Sequence, residues 1–448
     1  MRIVIVGAGE VGKHLSKMLS SEGQNIVLMD SDPKKLSELS HSVEVMTLEG
    51  NPRLIDDLER ARVKGADLFV AVTPDEATNI LSCALAKKIG ALHTLARINN
   101  PDYLAAEYVD IFGEMGVDRM IYPEELAARE IASTTLNPWA RQYVELFNGA
   151  LTLVGIKVRQ GAPILDRPLS ELGGEQGHKF YHVVAIKRDL ETIIPTGSTR
   201  IKHNDLVFFT CTTGHLQELR ILTGKPNPLV RKMVIMGASR VATQTIRKLP
   251  ESLRICLIER DKEKCMRLSE ILPSNVEIYH GDGRDPELLD EVGLDDAEVF
   301  VALTENSETN ILACLAAMRF GVYKTIAKEE NIDYIPLAYR LDIGTLINKK
   351  ILAIGHIYRI LLGMETGSVI SLSLVNNAEV AEFVVKRGSK IDQQRMSQLR
   401  LPGNMTFGGM VRNGVPQMID GDTVFEPYDH IVIFYHNIPI GELQALFH

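Results

Sequence analysis

Aromatic residues supply only 6% of this 448-residue chain, and tryptophan occurs once, at Trp139. A surface that stacks on bases needs several exposed rings, so this scarcity argues against single-stranded nucleic-acid recognition. Positive charge is also in deficit. Lysine and arginine total 49 against 58 aspartates and glutamates, a formal net charge of −9. That balance argues against general affinity for nucleic acid or anionic lipid. No apolar run approaches the roughly 18 residues that span a bilayer. The opening MRIVIVGAGEVG runs from a short apolar stretch into a glycine turn and lacks a small-residue cleavage site. It reads as a strand rather than a signal peptide.

Cysteine is equally sparse. Cys83, Cys211, Cys256, Cys265 and Cys314 include no Cys-x-x-Cys pair, which fits reduced core residues of a cytoplasmic protein and not a disulfide framework or structural zinc. The twelve histidines are scattered. His178 and His182 have the i, i+4 spacing of a zinc pair, but their region reads as loop and strand, so no metal is expected. The chain has no G-x-S-x-G elbow and no P-loop, and nothing in it nominates a catalytic residue.

What the chain does have is a repeat. ADLFVAV at 66–72 returns as AEVFVAL at 297–303, and EATNILSCALA at 76–86 returns as SETNILACLAA at 307–317. Thr73 and Thr304 stand 231 residues apart, as do Gly50 and Gly281. Gly197 and Gly421, in IIPTGSTRIKHNDLVFF and QMIDGDTVFEPYDHIVI, stand 224 apart. Each half therefore holds a larger first unit and a smaller second one. We expect boundaries at 1–149, 150–228, 229–366 and 367–448. Length and composition, with 45% hydrophobic and 24% charged residues, suit three or four globular domains.

In the first unit apolar strands at 2–6, 25–29, 43–46, 67–72 and 93–97 alternate with helical spacing. That alternation predicts an α/β fold with a parallel, doubly wound Rossmann sheet. Between its first strand and first helix lies Gly7-Ala8-Gly9-Glu10-Val11-Gly12, and Asp30 ends the next strand, followed by Ser31. Gly7 permits the tight turn, Gly9 lets a diphosphate approach, and Gly12 lets helix and strand pack closely. The helix N-terminus favours the anion. Asp30 suits an adenosine ribose, and its charge disfavours a 2′-phosphate, so NAD(H) or an adenine nucleotide (ATP/ADP) is expected over NADP. Asn51, Thr73, Pro74, Asp75 and Arg97 follow the ends of later strands, where such folds bind ligands.

The second copy reads Gly237-Ala238-Ser239-Arg240-Val241-Ala242. Ser239 puts a side chain where Gly9 stands, an obstacle to a closely held diphosphate. Ala242 for Gly12 is the milder change. Glu259 keeps the ribose-type acid, Asp282 and Gly283 retain a nucleotide-type loop, and Thr304 repeats Thr73. These make a second site whose occupancy the sequence leaves open.

Residues 123–147 read as a helix kinked near Asn137-Pro138, matched by 342–366. Both suit either exchange against another subunit or packing on their own sheet. The small units carry β-type runs (TLVGIKV, HVVAIKR, DLVFF, then VISLSLV and HIVIFY) and read as β-rich binding or interaction modules. They are poor substrate domains for the alternative reading, an NAD-dependent oxidoreductase.

GAGEVG, Asp30, ADLFVAVTPDEATNIL, ARINNPDY at 96–103 and GDGRDPELLDEVGLDDAEVFVALTENSETNIL at 281–312 together resemble the TrkA family, over essentially the whole chain. Its members are peripheral nucleotide-binding subunits of bacterial Trk potassium uptake systems, built as tandem regulator-of-K⁺-conductance (RCK) units. The resemblance implies a cytoplasmic regulatory subunit, not an enzyme, that attaches to the inner membrane face through a potassium-translocating TrkH/TrkG-like partner. It also implies a homotetrameric ring gated by NAD(H) or ATP/ADP. Asn51 departs from an Asp common in relatives. Regulation of another cation channel or antiporter is the neighbouring alternative.

Overall fold

The computed structural model describes residues 1–39, 44–172, 180–189, 191–366, 372–374, 378–438 and 440–447. They form two compact units, Met1–Leu126 with Lys349–Leu361, and Ala127–Asn348 with Leu362–His448. His178 lies outside the described residues.

The first unit is built on strands β1 (Arg2–Val6), β2 (Asn25–Asp30), β3 (Val45–Glu49), β4 (Leu68–Ala71), β5 (His93–Arg97) and β6 (Arg119–Ile121). They form one sheet in the order β3-β2-β1-β4-β5-β6, with parallel pairing throughout. Ile3, Val4, Ile5 and Val6 are all buried, because helices cover both faces of a parallel sheet. The third strand sits at Val45–Glu49, later than the expected 43–46. Strand order reverses between β1 and β4, and the crevice outside their carboxyl ends is the place such sheets bind ligands.

In the second unit β7 (Gln142–Leu146), β8 (Leu151–Lys157), β9 (Tyr181–Arg188), β10 (Glu191–Ile193) and β11 (Leu206–Thr212) form an antiparallel sheet in the order β10-β9-β11-β8-β7. A second Rossmann sheet follows: β12 (Lys232–Met236), β13 (Arg254–Glu259), β14 (Val276–His280), β15 (Val299–Ala302), β16 (Lys324–Lys328) and β17 (Thr345–Ile347), ordered β14-β13-β12-β15-β16-β17. The last sheet holds β18 (Leu372–Leu374), β19 (Ala378–Val384), β20 (Met405–Arg412), β21 (Val415–Gln417) and β22 (His430–His436). Its order, β18-β19-β22-β20-β21, repeats that of the first small sheet. The described part of the expected strand VISLSLV is β18.

The duplication reaches individual bonds. Arg188 pairs with buried Asp205 at 2.7 Å and Arg412 pairs with buried Asp429 at 2.6 Å, both residues shifted by the same offset. The two small sheets share one core, in which Leu151, Val184 and Phe208 lie with Val380, Val411 and Phe434. His182 Nε2 meets Thr406 Oγ1 at 3.0 Å in the same region.

Two expectations need correction. The helix expected over 123–147 ends at Leu136, and Gln142–Leu146 is a strand. Pro138 stops the helix, and pairing with the adjacent Leu151–Gly155 segment decides the rest. In the matching stretch, the helix is Lys349–Thr366, preceded by β17 rather than continuous from 342. Its Lys349–Leu361 portion belongs to the first unit rather than to the second Rossmann sheet that precedes it. Among the described residues no helix is long and apolar enough to cross a membrane.

Candidate functional site

The first glycine turn carries out its three local jobs. Gly7 has φ +105°, and a Cβ there would press on the backbone of Val72 and Thr73 at 3.0–3.1 Å. A Cβ on Gly12 would overlap the carbonyl oxygen of Gly7, so this position admits no side chain. At Gly9 the corresponding space is open, with no atom within 4 Å. Gly9 is also the N-cap of helix Glu10–Ser21 and gives its N–H groups no side-chain acceptor. An uncapped N-terminus facing open space is what an anionic ligand requires.

Asp30 is buried beneath the turn. Its Oδ2 accepts from the Ala8 N–H at 2.6 Å and its Oδ1 from the Asp32 N–H at 2.9 Å. Lys35 Nζ lies 4.0 Å away. Each carboxylate oxygen keeps lone-pair capacity for a ribose hydroxyl.

Two adjoining cavities flank the turn and share Pro74. The larger, about 390 Å³, is lined by Gly7, Asp30, Ser31, Asn51, Thr73 and Asp75, among others. The smaller, about 200 Å³, is lined by Gly9, Glu10, Val11, Arg97, Lys349 and Lys350. Arg97 Nε is shielded from solvent and has no hydrogen-bond partner among the described residues. A buried guanidinium donor left unsatisfied is costly, and an anion seated in the smaller cavity is the simplest way to satisfy it.

Asn79 holds this wall together. Its Oδ1 accepts from Thr73 N–H at 3.0 Å and from Thr73 Oγ1 at 2.7 Å, and its Nδ2 donates to the carbonyls of Thr73 and Arg97 at 2.9 and 2.8 Å. Asp75 serves the helix rather than the cavity centre: it caps Glu76–Ile89 by accepting from Thr78 N–H, and hydrogen bonds from Thr78 hold its carboxyl below the usual range. Asn51 likewise spends its amide oxygen on Arg53 N–H at 3.1 Å. Ala8 points its methyl into the core and contributes its N–H to Asp30.

The second crevice, about 310 Å³, is lined by Gly237, Ala238, Ser239, Glu259, Asp282, Gly283 and Thr304. Gly237 keeps φ +94°. Asn310 repeats the Asn79 arrangement, binding Thr304 and the Lys328 carbonyl. The contents differ. Ser239 Oγ accepts from Ala242 N–H at 3.4 Å and so caps its helix with its own side chain. Glu259 accepts from Lys264 Nζ at 2.8 Å. Burial raises its carboxyl, but the Lys264 bond and backbone N–H donors outweigh that and hold it low. Asp282 is gripped by Arg284 and Arg260, which keep it well below the usual carboxylate range. Arg240 and Val241 stand apart from the lining, Val241 being buried. Where the first crevice leaves its helix N-terminus without a side-chain cap, the second caps one N–H with Ser239 and pairs Glu259 with Lys264.

Sequence reading missed Lys349 and Lys350, which reach the first crevice from a segment far along the chain. Asn79 stands in the repeated block and recurs as Asn310, but the sequence alone gives it no role.

A family model of the TrkA-N domain matches residues 3–123 and 233–349, and one of the TrkA-C domain matches 153–223. The "Trk system potassium uptake protein TrkA" of Vibrio alginolyticus is 30% identical, covering 100% of this chain and 98% of that protein. The chain belongs to the TrkA family. The TrkA homolog of Archaeoglobus fulgidus is 28% identical over the full length of both chains. Among solved structures, the GsuK RCK domain superposes with a TM-score of 0.62 at 14% identity, covering 99% of this chain and 94% of that one. The GsuK channel bound to NAD gives 0.62 at 14% identity over 100% of this chain and 78% of that one. These likenesses place the chain in the RCK fold. The second small module has the strand order of the first although the TrkA-C model covers the first.

Proposed function

We propose that this TrkA-family chain is a nucleotide-responsive regulatory subunit, not an enzyme. It takes NAD(H) or ATP/ADP in its first crevice and gates a potassium-translocating membrane subunit of the TrkH/TrkG kind. It works from the cytoplasmic face, held to the membrane through that partner, as a homotetrameric ring.

The observation that carries the reading is the convergence at the first turn. An uncapped helix N-terminus, open space at Gly9 and the unsatisfied Arg97 Nε face one cavity, while Asp30 floors the next. The arrangement supports phosphates in the smaller cavity and an adenosine in the larger. The second crevice has a capped helix and a lysine-neutralised acid, which supports one dominant site per chain.

A ligand moves a regulator only by binding one of its states better than another. Lys350 Nζ pairs with Glu10 Oε2 at 2.7 Å and Lys349 Nζ with Glu124 Oε1 at 3.1 Å. A phosphate at Gly9 competes with Glu10 for Lys350, so binding alters how helix Lys349–Thr366 is held. That helix precedes the second small module in the chain.

Isothermal titration with NADH, NAD, ATP and ADP tests the proposal on the wild type, Asp30→Ala and Gly9→Asp. Saturable binding lost in both variants is expected. No binding by any of the four would overturn the reading.

A further inference from the structure

The second unit contains a cationic cavity that the nucleotide crevices do not use. Two adjoining chambers, of about 360 and 400 Å³, share Arg141, Lys157 and Gly344. Lys187 lines the first of them, and Arg159, Lys225 and Lys324 line the second. Their walls come from the first small module and the second Rossmann domain, both inside one compact unit.

Six lysine and arginine side chains here face two carboxylates, Asp342 and Asp189, and burial holds one of the six, Lys324, well below the ordinary lysine range. Asp342 is already committed, bound by Arg141 Nη2 at 2.8 Å and paired with Arg159. Asp189 is exposed. Lys324, almost fully buried, donates to the Ala140 carbonyl at 2.5 Å and to Thr345 Oγ1 at 2.9 Å. Neither Lys157 nor Lys225 forms an ion pair through its ammonium among the described residues.

Gathering like charges around a sheltered cavity is unfavourable unless something compensates them. Burial, with Lys157 beside it, lowers Lys187 to about 8. Burial, with Arg159 and Arg141 beside it, lowers Lys225 to about 8. A bound anion would relieve both effects together. Tyr323, Met318 and Val322 add an apolar wall on the Lys225 side, room for an organic part beside the charge.

We infer that this cavity is a second ligand site, selective for a small phosphate-bearing anion of diphosphate charge and separate from both glycine-turn crevices. The cations supply the charge complementarity, Arg141 and Arg159 offering planar donors and Lys157 and Lys225 mobile ones. Because two domains form its walls, occupancy ties the first small module to the second Rossmann domain.

The site carries its own reporter. Trp139 is the single tryptophan of the chain and lines the second chamber. The full chain is titrated with sodium pyrophosphate, and separately with ADP, while tryptophan emission is followed. The wild type, Gly9→Asp and the double variant Lys157→Gln/Lys225→Gln are compared. The expected result is a saturable change with pyrophosphate that has the same midpoint in Gly9→Asp. The double variant weakens it by about tenfold or more. ADP binding more tightly than pyrophosphate assigns a nucleoside diphosphate, and equal affinity assigns an inorganic phosphate chain; both support the site. No saturable change overturns it. So does a change lost in Gly9→Asp and kept in the double variant. On the wild type alone, pyrophosphate should protect Lys157 and Lys225 from acetic anhydride, read by mass spectrometry. Unchanged labelling of both lysines also overturns the inference.

Discussion

Lys350 Nζ lies 2.7 Å from Glu10 Oε2, an ion pair closed across 340 residues of sequence. Both side chains line the cavity beside Gly9. Partly exposed pairs of this kind contribute about 0–1 kcal/mol to stability, so the contact is better suited to reading a ligand than to holding the fold. Lys350→Gln should therefore weaken ADP and NADH binding by about 3- to 10-fold, the scale of one lost charge-assisted bond, with little change in melting temperature. Glu10→Gln should tighten binding, because it removes a negative charge that competes with the phosphate beside Lys350. Calorimetry on both variants decides, and equal affinities would show that Lys350 does not meet the phosphate.

Asn79 is 1% exposed and makes four hydrogen bonds that tie Thr73 to Arg97. Replacing it with alanine leaves buried backbone groups unmatched, at a cost of about 2–4 kcal/mol. Asn79→Ala should lower denaturation midpoints and weaken nucleotide binding. Asn310→Ala, with the same bonds in the second copy, should destabilise comparably while leaving first-crevice affinity nearly intact. Chemical denaturation and calorimetry on the pair separate the two effects.

The parts of this arrangement that are local were readable from sequence. A strand, glycine turn and helix in succession, followed by Asp30, come from nearby residues whose spacing states their geometry. The repeat supplied the rest of the fold, since one half interprets the other. Lys349 and Lys350 were not readable, because nothing near them in sequence says which sheet their helix packs on. The same reason explains Gln142–Leu146. Its pattern allows helix or strand, and its pairing with Leu151–Gly155 decides. The cationic cavity was hidden for a related reason: Arg141, Lys157, Lys187, Lys225 and Lys324 are spread over two domains and look like ordinary surface charge.

Gly12 and Ala242 occupy equivalent positions with opposite tolerance. A Cβ on Gly12 would overlap Gly7's carbonyl oxygen, whereas Ala242 already accommodates its methyl in a fully buried place. Gly12→Ala should destabilise the first unit by about 3 kcal/mol or more, since backbone must move to admit the methyl. Ala242→Gly should cost about 1 kcal/mol, the usual helix penalty. Thermal unfolding of each variant, followed with and without ADP, checks the contrast.

Glu382 is a buried acid of the second small module, on the strand Ala378–Val384. Burial pushes its carboxyl up to about 7, opposed by a hydrogen bond from Phe147 N–H at 3.3 Å. A raised carboxyl favours the protonated form in the folded state, so its contribution is fully present below the ordinary glutamate value of about 4.5. Stability is then lost as pH rises through about 7, because the unfolded chain ionises freely and the folded one must bury the charge. The full penalty is about 3 kcal/mol. Glu382→Gln, which keeps the shape without the charge, should raise the melting temperature clearly at pH 8 and hardly at pH 5. A gain of equal size at both values would mean that packing, not ionisation, limits this core.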